Sequence, residues 1–215
     1  MTDRKRQILE QAIEIISSEG YANLSMRALA RASGMKLGAL QYHFRTREDL
    51  LRDLAAFVGD EYGRSFDALA EGRDSPDLRQ TMQFLLEDSP ADATLQADRL
   101  LPQLWAMAQV EPVMESLLDD IYRRYLDTLE ERLVAEGSRA PRAEALALMS
   151  MVEGATLFLG HGRRWARDAK SVRDAVLGFI DANYPNDGND GGGGSASASA
   201  TKRKPNRRRR VPGSK

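Results

Sequence analysis

Apolar residues first recur at helical spacing at Leu9, Ala12, Ile13 and Ile16, an i, i+3, i+4, i+7 stripe on a segment that stops at Gly20. This predicts a first helix. Ser25 then stands where a cap belongs for "MRALARAS", in which Met26, Leu29 and Ala30 form one face and Gly34 marks the end. A third short helix, about Leu37 to Phe44, places Leu40 and Phe44 on one side and leaves Lys36, Ala39, Gln41, Tyr42 and His43 outward. Thr46 followed three residues later by Asp49 is a capping-box pattern, and it opens a long fourth helix through "LLRDLAAFVGDEYGRSFDALA".

Beyond Gly72 every apolar period is helical, over about 76–88, 93–109, 112–136, 142–163 and 170–183, and no stretch alternates like a strand. The pattern therefore predicts an all-α fold of about nine helices. The seam Met114, Leu117, Leu118, Ile121, Tyr125, Leu129 and Leu133 marks an amphipathic packing helix. "EALALMSMVEGATLFLGHG" is apolar nearly all round, so one subunit does not suffice to cover it. With "VRDAVLGFIDANY", which offers Val172, Val176, Phe179 and Ile180, it is the expected homodimer surface. From Asn186 onward, glycine, serine and lysine-arginine runs offer no apolar face and read as a disordered linker with a basic end.

Charge sharpens this division. Residues 1–52 hold nine Lys/Arg against six Asp/Glu, residues 53–190 hold 14 against 26, and residues 191–215 hold eight against none. The net charges are +3, −12 and +8: a basic head and tail suited to a polyanion, and a body that is not. The expected organisation is a DNA-binding domain over 1–52, a ligand-binding and dimerisation domain over 53–185, and a tail over 186–215. No cysteine is present, which removes disulfides, thiolate metal sites and a cysteine nucleophile. The charged start is unlike a leader peptide and no apolar window is long enough to span a bilayer, so a cytoplasmic protein without membrane contact is expected.

A two-turn helix, a glycine turn and a second short helix with outward polar groups make a helix-turn-helix, whose second helix enters the DNA major groove. Helical hairpins of this kind also serve as plain scaffolding. The stretch "ILEQAIEIISSEGYANLSMRALARASGMKLGALQYHFRTREDLL" resembles the N-terminal DNA-binding domain of the TetR family of bacterial repressors, over about residues 8–51. The apolar positions, "EGY", the turn with Ala30, Ala32 and Gly34, and "YHF" before "TREDLL" fall in family order. The resemblance implies that Lys36, Leu37, Gly38 and Ala39 face base edges, that Tyr42 and His43 lie on phosphates, and that Arg47 stands at the next helix start.

Those roles suit the residue types. Gly38 lets the backbone approach the duplex, Leu37 and Ala39 can meet thymine methyls, and Lys36 can reach guanine or phosphate. Thr46 with the free amides at the next helix start would form an anion site. Gln41 stands where the family usually has tyrosine and Ala39 where threonine or serine is common; Gln41 reads adenine or replaces a phosphate contact. Arg27 and Arg31 lie four apart, for phosphate contact or for simple solvation. Arg4, Lys5 and Arg6 form either a minor-groove arm or, more commonly, a solvated terminus.

In the body, Phe84, Leu104, Trp105, Met107, Tyr122, Tyr125, Met149 and Phe158 are candidates to line an effector pocket; residue by residue, plain core is the simpler account. Glu153 is the one acid in an apolar run, a ligand anchor or the ion-pair partner of Arg163 or Arg164. His161 has no second histidine or cysteine beside it and reads as a helix-end histidine rather than a metal ligand. No phosphate loop, paired carboxylates or nucleophile constellation supports an enzyme, and no cofactor is expected. The resulting expectation is a homodimeric repressor released from a palindromic double-stranded DNA operator by a small molecule. The alternatives are control by a protein partner, or less specific nucleoid binding led by "TKRKPNRRRR", unless that tail is an expression remnant.

Overall fold

The computed structural model describes residues 1–70, 76–87, 95, 97–160 and 162–185. The expectations for His161 and for residues 186–215 fall outside that set. Among the described residues the chain forms nine α-helices and no strand. These are α1 (Asp3–Glu19), α2 (Met26–Ala32), α3 (Leu37–His43), α4 (Arg47–Ala70), α5 (Leu78–Leu86), α6 (Ala97–Ala108), α7 (Pro112–Ala135), α8 (Pro141–Leu159) and α9 (Ala169–Asn183). Single 3-10 turns occur at Tyr21–Asn23 and Ala166–Asp168. No helix among the described residues is long and apolar enough to cross a membrane.

Helix α4 runs without a break through residue 52, where the charge count changes sign, and the core is continuous there too. Ile8, Leu9, Ile13 and Ile16 of α1, Leu29 of α2, Leu40 and Phe44 join Leu54, Phe57 and Val58 of α4 in one cluster with Leu104, Met107, Met114, Leu117, Leu118 and Ile121. A second cluster contains Leu78, Met82, Leu126, Leu129, Leu133, Ala145, Leu148, Met149, Val152, Leu177 and Ile180. Helix α7 supplies both: the seam expected over 114–133 gives its first half to one core and its second half to the other. Tyr122 and Tyr125, between the halves, pack against both clusters.

Two glycines lie at the α4–α7 crossing. A Cβ on Gly59 would lie 3.3 Å from Leu117 Cδ1, and one on Gly63 would lie 3.2 Å from Arg124 Nη1. One turn apart on α4, they leave room for the Leu117 side chain and the end of Arg124 across the crossing. Helix α8 stops at Leu159 rather than continuing to 163. Gly160 breaks it at a crowded point, where a Cβ would meet the Thr156 carbonyl at 2.9 Å and Asp98 Cβ of α6 at 3.1 Å. Helix α9 returns along α8, tied at its end by the Tyr184 hydroxyl, which donates to Glu144 Oε2 at 2.5 Å.

Candidate nucleic-acid interface and body cleft

The α2–α3 turn is built by local rules. Ser25 Oγ accepts the Ala28 amide at 3.1 Å, starting α2. At the far end Gly34 adopts φ 65°, its amide donates to the Arg31 carbonyl at 3.1 Å, and the Met35 amide donates to Ala30 at 2.8 Å. That is a Schellman closure, which needs the left-handed residue glycine tolerates. The chain re-enters helix at Leu37 with Leu40 and Phe44 fully buried, so the opposite face of α3 points outward. Lys36, Gly38, Ala39 and Gln41 are exposed, Tyr42 is 86% exposed, and Leu37 and His43 are half-buried. The Tyr42 and His43 rings meet edge-on at 5.5 Å, which orients both at the end of the helix.

At the start of α4 the expected reciprocal box is present: the Asp49 amide donates to Thr46 Oγ1 at 3.1 Å and the Thr46 amide to Asp49 Oδ2 at 3.3 Å. Thr46 and Arg52 hold the Asp49 carboxyl below the usual range. This box occupies the Thr46 and Asp49 amides, leaving those of Arg47 and Glu48 for an anion. Arg27 and Arg31 are exposed on α2.

Four basic residues near the module make contacts within the protein. Helix α1 begins at Asp3, so Arg4, Lys5 and Arg6 lie on a helix rather than on an extended arm, with Arg4 and Arg6 still exposed. Arg4 donates to the Ser33 carbonyl at 3.0 Å, bracing the end of α2. Lys5 pairs with Asp53 at 2.7 Å beside the Phe44 ring, and Arg6 lies 3.9 Å from Glu61, over Phe57. Arg47, placed by resemblance at the DNA-facing helix start, turns its guanidinium inward. It pairs with Glu111 at 2.7 Å and also donates to the Tyr21 hydroxyl, which itself donates to Glu111. The Tyr21 amide meanwhile donates to Gln103 of α6 at 3.1 Å. Hydrogen bonds from Tyr21 and Arg47 lower the Glu111 pKa, whereas burial and the Glu111 contact raise that of Tyr21. The start of α4 and the turn after α1 are thus tied to α6 and to the residue that caps α7. Nothing in the sequence marks this cluster, because its members stand far apart along the chain.

The body residues expected to line one pocket separate into different settings. Leu104 and Met107 are fully buried in the first core and Met149 lies in the second. Phe84 is half-buried on α5, while Phe158 is exposed and meets Trp165 edge-on at 6.0 Å. A cleft of about 390 Å³ opens instead between α4 and α7, floored by Gly59 and Gly63, with Tyr62, Phe66, Leu117 and Tyr125 on its walls and Arg52, Asp60, Asp120 and Arg124 among its lining. Of the expected residues only Tyr125 lines it. Its aromatic wall has order: Phe66 and Tyr125 are 5.4 Å apart, and Arg124 lies over Phe66 while pairing with Asp67.

Trp105, Tyr122 and Glu153 do come together. Trp105 Nε1 donates to the Tyr122 hydroxyl at 3.0 Å, and that hydroxyl bonds the Glu153 carboxylate. Burial raises the pKa of Glu153; burial, then the negative charge of Glu153, raises that of Tyr122. The expected ion pair of Glu153 with Arg163 or Arg164 is not formed, and the Arg164 guanidinium lies over the Trp165 ring.

Residues 8–54 match the family model described as bacterial regulatory proteins, tetR family. An uncharacterised HTH-type transcriptional regulator in the dhlA 5' region of Xanthobacter autotrophicus is 28% identical over 160 residues, 70% of this chain and 77% of its own. The HTH-type nicotine-responsive transcriptional repressor HdnoR of Paenarthrobacter nicotinovorans is 26% identical, covering 72% of this chain and 82% of its own. The fold matches the crystal structure of a regulator from Saccharomonospora viridis in complex with choline, with a TM-score of 0.67 and 22% identity over 85% of this chain and 98% of that one. Residues 8–54 thus carry a DNA-binding domain of the tetR family, and over most of its length the chain is similar to HTH-type transcriptional regulators.

Proposed function

We propose that the protein acts as a homodimeric repressor that leaves a near-palindromic operator when a small molecule binds its body. The observation that carries the reading is the uncovered apolar surface of the last two helices: Leu146, Met151, Leu157 and Phe158 of α8 and Phe179 of α9 are all exposed. An apolar surface of that kind, where no described helix is long and apolar enough to cross a membrane, calls for a covering partner. A second copy supplies an identical face under twofold symmetry, and a twofold dimer sets two recognition helices about 34–36 Å apart, one turn of DNA.

The DNA contacts in this reading are Lys36, Gly38, Ala39, Gln41 and Tyr42 with Leu37 and His43, and Thr46 and Arg27 at the phosphate margins. Arg47 acts by holding the recognition module to the body. Effector control is supported by the nicotine-responsive relative and the choline-bound neighbour, and by the α4–α7 cleft, whose α4 wall is the helix that follows the recognition helix. A ligand that binds one dimer shape better than another shifts the population between them.

Selection of bound sequences from a random DNA pool at near-physiological salt, with the full chain and with residues 1–190, tests the reading. A shared palindrome from both chains is expected, with Met151→Lys/Phe179→Glu sedimenting as a monomer and enriching nothing. Enrichment without symmetry, or only with residues 191–215 present, would favour tail-led binding instead. Tyr42→Ala is expected to lower operator affinity about tenfold, or about 1.4 kcal/mol, with an unchanged melting temperature.

A further inference from the structure

We propose that the effector is an organic cation, a quaternary ammonium or protonated amine, whose charged head is held by the Glu153 carboxylate against the rings of Trp105 and Tyr122. This rests on the reading that the body takes a small-molecule effector, and it names the chemistry of that molecule.

Glu153 is the only acid on α8 beyond its first turn, set one residue after the buried Val152. A carboxylate withdrawn from water needs a cation or several donors. Among the described residues Glu153 has no cationic partner, and Tyr122 is its hydrogen-bonding side chain. A carboxylate has about four acceptor positions, so most of its capacity is left for an incoming group.

The partner chain is oriented. Because Trp105 donates to the Tyr122 oxygen at 3.0 Å, the phenol proton is left to point at Glu153. The two rings stand 5.4 Å apart at 35°, forming an aromatic corner beside the acid. Trp105 is 46% exposed although Leu104 and Met107 on the same helix are fully buried, so the corner is open to solvent along one side. Ring faces attract cations through their quadrupole, most strongly for tryptophan, and they suit methylated or alkylated nitrogen whose own hydration is weak. A neutral guest would leave the carboxylate uncompensated, an anion would be repelled, and a divalent metal would find a single carboxylate where it needs several oxygen ligands.

The location suits regulation. Tyr122 lies on α7 about three turns after Glu111, and Glu111 holds Arg47 and Tyr21. Trp105, Tyr122 and Glu153 bring α6, α7 and α8 together at this corner. A cation drawn to Glu153 would press on the helix that anchors the recognition module.

The test is calorimetric titration of the full chain with choline and with benzyltrimethylammonium. The neutral isostere of choline, 3,3-dimethylbutan-1-ol, is the control. At least one cation is expected to bind in the millimolar range or tighter, and choline at least tenfold more tightly than the alcohol. Glu153→Gln should cost the cation at least tenfold while leaving alcohol binding unchanged, and Trp105→Leu should weaken the cation with Glu153 intact; melting curves verify that both variants fold. Failure of both cations to bind, equal binding of the alcohol, or an unaltered Glu153→Gln variant would overturn the proposal. Operator release is read separately. Release by some other compound with no cation binding would sink the cation class and leave effector control standing, whereas Glu153-dependent cation binding without release would do the reverse.

Discussion

The recognition module and the body are both held by polar contacts, yet these are made at different ranges along the chain. In the module the structure-defining bonds join near neighbours: Ser25 to Ala28, Thr46 to Asp49, Met35 to Ala30. In the body and at its junction with the module they join distant ones, with Tyr21 and Glu111 separated by 90 positions, Arg47 and Glu111 by 64, and Trp105 and Tyr122 by 17. Local bonds follow from the order of residues; distant ones follow from how helices happen to cross. The module's shape is therefore a property of its own sequence, whereas the function of the body depends on packing.

The sharpest way to break this contrast is to empty the module's small core. Leu40 is fully buried and is the sole buried residue of α3. Leu40→Ala should destabilise by about 2–5 kcal/mol, the range for buried leucine truncations, and abolish operator binding. Urea unfolding followed by circular dichroism would measure it, and a loss below about 1 kcal/mol would mean that α3 is not held from inside. Next in size, Gly34→Ala forces a Cβ into φ 65°, although nothing crowds it within 4 Å. The cost should therefore be purely conformational, about 1–2 kcal/mol. Gly38→Ala, at an open helical position, should not destabilise and serves as its control.

The same distinction explains what the sequence could and could not disclose. The end of α1, the limits of α2 and α3, the cap at Ser25, the box at Thr46 and the inward placement of Leu40 and Phe44 are all legible, because each follows from spacing within one or two turns. The amphipathic seam of α7 is equally legible, but its division between two cores is not: periodicity says that a face is buried and not against what. Leu104, Met107 and Met149 carry no mark distinguishing pocket from core. Arg47 looks like any helix-start arginine until Glu111 is brought beside it. Arg4, Lys5 and Arg6 look like a solvated terminus until α1 is extended to Asp3 and lays them against Ser33, Asp53 and Glu61.

A smaller effect tests whether the long-range junction is an energetic unit. In a double-mutant cycle of Arg47→Ala and Glu111→Ala, the half-exposed ion pair should show a coupling of about 0.5–1.5 kcal/mol, since each partner also bonds the Tyr21 hydroxyl. Operator affinity should fall in both single variants by similar factors, because either one frees the start of α4 from α7. Additive stabilities, or a loss of affinity confined to Arg47→Ala, would return Arg47 to the phosphate backbone as a direct contact.

The smallest expected effect is a sign. Burial raises the Glu153 pKa, so the folded protein favours the protonated form more than the unfolded chain does. Linkage then fixes the direction: the contribution of this group to stability is fully present below its unfolded pKa of about 4.3 and is lost as pH rises through the higher folded value. Glu153→Gln removes the ionisation while keeping a similar shape, so it should melt above the native protein at pH 8, with the difference shrinking toward pH 4. For a chain of this length 1 kcal/mol corresponds to about 2–4 °C in Tm, within the reach of calorimetry. A variant that melts lower at pH 8 would show that Glu153 is a net stabilising anion in the folded state, already compensated by a positive group. With its charge so satisfied, the corner would have no demand for a cation, and the sign of one melting difference would bear directly on the chemistry of the effector.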